Sequence, residues 1–86
     1  MALINFFGQE CPHCEAMESV IQKLEHDTGV QVERKEVWHD DANMKTLEGY
    51  DKGVCGGVPY FYNTDTGKSI CGEATIDELK AWSEGK

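Results

Sequence analysis

Cys11-Pro12-His13-Cys14 is the stretch whose residue types and spacing carry the most direct chemistry. Two thiols three positions apart can pass between a dithiol and a disulfide, and proteins use such pairs to reduce, oxidise or reshuffle other disulfides. Spacing alone is thin support, because four cysteines in a chain of this length place some pair three apart with a probability of roughly 0.14. Context strengthens it. The pair follows a short apolar run, Ala2 to Phe7, and heads an amphipathic segment, so it falls at a strand-to-helix junction with Cys11 at the helix N-terminus. Free backbone N–H groups and the positive end of the helix dipole then face the first sulfur. A free thiol is only about 3% thiolate at pH 7, and reaching roughly 75% takes about 2.7 kcal/mol. A helix end supplies at most ~2 kcal/mol of that. The rest falls to Cys14 and to a protonated His13, with Glu10 and the surplus negative charge opposing. Cys11 is the expected attacking thiol, and Cys14, one turn in and expected to be more buried, the resolving one. Pro12 and His13 tune the pair.

The chain that must position these residues is short. Eighty-six residues fit one domain, 1–86, with one modest core. Sixteen acidic residues against eight basic ones give a net charge of -8, which argues against a nucleic-acid partner. No stretch approaches the ~20 apolar residues that span a bilayer, so no membrane partner is expected either. Met1 to Phe7 has no basic leader and is broken by Asn5, unlike a signal peptide. The expected setting is cytoplasmic or organelle-stromal, where four cysteines point to redox or metal chemistry rather than to staples.

Hydrophobic periodicity supplies the elements. Ala2 to Phe7 reads as a buried strand ended by Gly8. Met17, Val20, Ile21 and Leu24 fall at i, i+3, i+4 and i+7 on one helix face, with Pro12 in the first turn and Gly29 at the stop. At that spacing Met17 is core, not a ligand. Val30 to Trp38 reads as a second strand whose charges suit a wet face or an edge. His39-Asp40-Asp41 caps a short helix, Ala42 to Tyr50, with Met44 and Leu47 inward. A glycine-rich loop containing Cys55 leads through Val58-Pro59 into a third strand at Tyr60-Phe61-Tyr62. A turn at residues 63–67 returns the chain as a fourth strand, Lys68 to Cys71. Thr75 and Glu78 form a capping box for a last helix that turns Ile76, Leu79 and Trp82 inward. His26 and His39 read as surface residues. The expected fold is α/β, a four-stranded mixed sheet with three helices in the order β-α-β-α-β-β-α.

From Leu3 to Trp82 the chain resembles the thioredoxin-fold superfamily. Cys11-Pro12-His13-Cys14 at the strand–helix junction and Val58-Pro59 before the third strand carry the likeness. The resemblance implies a minimal fold of glutaredoxin size, a cis Val58-Pro59 peptide facing the dithiol, and an extended substrate pairing with the Val58 backbone like an added strand. There are departures. Asn5 stands where thioredoxins carry a buried aspartate, and Glu10 where they place a tryptophan before the first cysteine. His13 replaces the tyrosine that glutaredoxins usually have before the second cysteine. Cys71 to Asp77 matches only part of the glutaredoxin stretch before the last helix, through which Gly72 and Glu73 become candidate substrate-binding residues. Pro-His between the cysteines is similar to the bacterial periplasmic disulfide oxidases, whose helical insertion is absent.

The resemblance implies a monomeric thiol–disulfide oxidoreductase of electron-transport type. Protein disulfides are its substrates, and a reductase or glutathione restores its electrons. No cofactor is expected beyond its own redox-active disulfide, and no resident metal. Two other readings use the same residues. One is a glutathione-dependent glutaredoxin, for which Lys52 and Lys68 are the candidate holders of glutathione carboxylates. The other is a non-catalytic metal or iron–sulfur binding module. Cys55 and Cys71 read first as small apolar fillers or incidental thiols. Otherwise they are a second redox pair or regulatory disulfide, or further ligands beside Cys11 and Cys14, although zinc sites favour two close pairs.

Overall fold

The structure is a computed structural model that describes residues 2–86. Its elements are β1 (Leu3–Phe7), α1 (Pro12–Thr28), β2 (Val32–Glu36), α2 (Asp41–Asp51), β3 (Tyr60–Asn63), β4 (Ser69–Cys71) and α3 (Ile76–Ser83). The strands form one mixed sheet in the order β2-β1-β3-β4. β1 runs parallel to β2, with Leu3 opposite Val32, and antiparallel to β3, with Phe6 opposite Tyr60; β4 closes the other edge by pairing with β3. Element types and order match the sequence expectation. β2 is shorter than the run from Val30 to Trp38 suggested, although the Val37 N–H still bonds to the Phe7 carbonyl at 2.8 Å.

The period-two alternation of β1 sorts the core into two layers. Leu3 joins Met17, Ile21, Leu24, Val32, Phe61, Leu79 and Trp82 on the face covered by α1 and α3. Ile4 and Phe6 join Val37, Leu47 and Tyr60 on the face covered by α2. Each fully buried side chain of this size contributes about 1.5–3 kcal/mol. Met44 and Ile76, expected inward, are half-buried against these layers.

Local chemistry fixes the helix ends. Cys11 caps α1 with extended backbone, Pro12 fills the first position, and Gly29 closes the helix in the left-handed region with φ 77°. Asp40 caps α2 through the Asn43 N–H at 3.0 Å. The capping box is complete: Thr75 Oγ1 accepts from the Glu78 N–H, and Glu78 Oε1 from the Thr75 N–H. Arg34 on the edge strand β2 forks onto two carboxylates of α1, Glu25 at 2.6 Å and Glu18 at 2.9 Å. No helix among the described residues is long and apolar enough to cross a membrane.

Candidate redox site

The dithiol lies where β1 hands over to α1. After Phe7 the chain turns through Gly8, whose carbonyl accepts the Cys11 N–H at 3.1 Å. Cys11 then caps the helix with its sulfur, accepting the Cys14 N–H at 3.3 Å. Gly8 is needed for space rather than only to end a strand, since a Cβ there would run into the Trp38 ring. Both sulfur-bearing residues are buried. Cys11 is 4% exposed and Cys14 7%, so the expected ordering, with Cys14 the more buried, is not what the structure shows. The reason is the cap itself, which folds the Cys11 side chain back over the first turn.

Burial pushes the Cys14 thiol up to about 12, helped by its hydrogen bond to Cys11 and opposed by a backbone hydrogen bond from Gly8. Cys14 is therefore a proton-bearing donor to Cys11 at neutral pH. Two histidines take up the acidic neighbours. His13 Nδ1 lies 2.9 Å from Glu73 Oε2, so the tuning residue and a candidate substrate-binding residue are partners. His39 Nε2 lies 2.7 Å from Glu10 Oε1; the carboxylate raises the imidazole above its ordinary value. His39 is at the surface as expected, but it offsets the charge of Glu10 beside the dithiol. Glu36 secures the same turn: its carboxylate accepts the N–H groups of His39, Gln9 and Trp38, which outweigh partial burial and hold it below the usual carboxylate range.

Val58-Pro59 is cis. The β1–β3 register brings Pro59 to the end of the sheet from which the chain turns toward Cys11. The Pro59 carbonyl accepts the Gly72 N–H at 2.8 Å, which places Gly72 and Glu73 at this end too. Val58 is half-buried, and among the described residues its N–H and carbonyl have no partner. Beside it runs an open groove of about 450 Å³, walled by Trp38, Met44, Leu47, Gly57 and Val58. Lys52 lines this groove, whereas Lys68 is at the opposite end of the sheet: its carbonyl accepts the N–H of Asn63, which pairs with Leu3. The hairpin is antiparallel, so the two ends of β4 face opposite ends of the sheet, and Lys68 cannot serve a ligand at the dithiol.

Cys55 and Cys71 form a disulfide, with sulfurs 2.00 Å apart across 16 positions of sequence. They are neither fillers nor incidental thiols. The hairpin sets the end of β4 beside the loop before Pro59, and this proximity is long-range and invisible in linear spacing. The bond also takes two donors away from any four-thiol metal or cluster site. Among the described residues no group of three or more histidine, cysteine, aspartate or glutamate side chains is arranged to hold a metal ion.

Sequence reasoning missed several residues. Asp51 is buried and accepts the N–H groups of Cys55 at 2.7 Å and Gly56 at 2.9 Å, tying down the loop before Val58. Its signal was an acidic residue at a helix end ahead of a glycine-rich loop. Trp38, an aromatic left half-exposed two residues beyond β2, covers Gly8 and walls the groove. Asn5 is buried with no partner for its Nδ2, and it lines an open cleft of about 170 Å³ with Gly8, Cys14, Glu15 and Glu18. No family model matches the chain, and no curated protein and no solved structure matches it.

Proposed function

We propose that this chain is a thiol–disulfide oxidoreductase of thioredoxin-like fold that acts on protein disulfides. The observation that carries the reading is the asymmetric dithiol at the start of α1, where Cys11 Sγ accepts the Cys14 N–H and the Cys14 thiol keeps its proton. As a thiolate, Cys11 attacks one sulfur of a substrate disulfide; that S–S bond breaks and the leaving thiolate takes up a proton. Cys11 is then uncharged in a mixed disulfide, and two of the influences holding the proton on Cys14 are gone. Cys14 releases its proton through the cleft rimmed by Glu15 and Glu18, attacks Cys11 Sγ, and expels the second substrate thiolate. The substrate gains two electrons and two protons, and Cys11–Cys14 becomes a disulfide. The free N–H and carbonyl of Val58 suit an extended substrate segment added like a strand.

The glutathione-dependent reading has less support. Glu10, Glu73 and Glu48 surround the dithiol and groove, and of the two lysines proposed to hold glutathione carboxylates only Lys52 is near. The metal-module reading loses Cys55 and Cys71 to the disulfide. The test is turnover of a protein disulfide with dithiothreitol as electron donor. Cys11→Ser is expected to abolish it, and Cys14→Ser to accumulate a covalent mixed disulfide through Cys11; full activity in the first variant would overturn the proposal.

A further inference from the structure

We infer that Cys55–Cys71 is a second thiol-exchange site, opened by dithiols, whose state sets the order of the Val58-Pro59 edge; the consequence for substrate rests on the reading of that edge as the docking surface. The bond joins the loop between α2 and β3 to the last residue of the edge strand β4, and the span it closes contains Val58-Pro59. Its Cys71 end leads to the dithiol. Gly72, next to Cys71, bonds to the Pro59 carbonyl, and Glu73 pairs with His13. Cys71 is exposed and Cys55 half-buried, so an incoming thiolate has access from the Cys71 side.

The glycine-rich tip of the loop is open to solvent. Gly53 and Gly56 have positive φ, and no atom lies within 4 Å of a Cβ built at Gly53, Gly56 or Gly57. Val54 is almost fully exposed. With the disulfide open, the anchors that remain are the Asp51 carboxylate on the Cys55 and Gly56 N–H groups, the Val54 N–H on the Asp51 carbonyl at 3.1 Å, and the packing of Cys55 and Val58 against the core layer under α2. Opening follows the chemistry of exchange. One thiolate of a dithiol donor attacks Cys71 Sγ, the S–S bond breaks, and Cys55 leaves as a thiolate and takes up a proton. The donor's second thiol then displaces Cys71, which is released as a thiol. The donor becomes a disulfide, having passed on two electrons and two protons. A protein dithiol of the Cys11–Cys14 kind, on another copy of this chain, belongs to the same donor class.

The experiment exposes the full chain to graded dithiothreitol in native buffer, alkylates it, and reads all four cysteines separately by peptide mass. Amide hydrogen exchange over residues 54–60 is followed in parallel. The expected result is that Cys55–Cys71 opens while β1 and α1 keep their protection, with exchange in the loop rising roughly tenfold or more. In turnover at a dithiothreitol concentration at which the peptide masses show the wild-type Cys55–Cys71 bond still closed, a Cys55→Ser/Cys71→Ser double variant is expected to show KM raised roughly fivefold or more with kcat kept. A disulfide that opens only when the whole chain unfolds, or a loop whose exchange and KM ignore its state, would make it a structural cross-link and overturn the inference. Absence of any turnover by the wild-type chain would defeat the proposed function instead, and the mass and exchange readouts would still decide this one.

Discussion

Asn5 shows how a single residue departs from the chemistry around it. Its Nδ2 is buried without a partner on the α1 side of the sheet, in the same cleft as Cys14. An unpaired buried donor costs about 1–3 kcal/mol, so Asn5→Leu is expected to raise unfolding free energy by about 1 kcal/mol in denaturant titration. If the variant also loses turnover, Asn5 contributes a polar edge to the proton path of Cys14; unchanged or lower stability would contradict the account of the orphan. The residue was conspicuous in the sequence as the one polar position in an apolar strand, but its lack of a partner was not. Nor were the Glu10–His39 and Glu73–His13 pairs legible, since they join residues 29 and 60 positions apart. The two cysteines of the dithiol were legible because their spacing, the helix start and Pro12 are all local.

Elements are joined by a few side chains, of which Arg34 is the clearest. It connects the edge strand β2 to α1, and its guanidinium beside Glu25 holds that carboxyl below its ordinary 4.5. A depressed carboxylate contributes stability that is fully present above its unfolded value and lost as pH falls through its folded one. Stability is therefore expected to drop as the pH is lowered below 4.5, and Glu25→Gln to flatten that drop while costing about 1 kcal/mol at pH 7. Unfolding curves at a series of pH values check both; an unchanged acid slope would remove Glu25 from the explanation. Helices and strands were readable because caps and periodicity are written within a few residues. The ends of β2 were not, because the run from Val30 to Trp38 alternates at its start and finishes apolar while ladder pairing stops at Val32 and Glu36. What the strand pairs with, rather than its own pattern, decides where it stops.

Over the whole molecule, the chemistry gathers at one end of the sheet. The β1–α1 turn, the Val58-Pro59 turn and the Gly72-Glu73 bend meet there, and the Cys55–Cys71 bond ties the last two together. In the chain-entropy account, closing a loop of this length is worth about 3 kcal/mol, a sizeable share of what a small core supplies. The sheet with its three helices followed from pattern alone. The second disulfide did not, because its half-cystines meet only through the hairpin and the loop before Pro59. The central claim is that Cys11 and Cys14 form a reversible couple, and equilibration in graded reduced and oxidised glutathione, quenched by alkylation and read by peptide mass, tests it most directly. The account predicts a Cys11–Cys14 disulfide that forms and disappears reversibly with the ratio. Cys11 and Cys14 remaining free thiols at every ratio would contradict it.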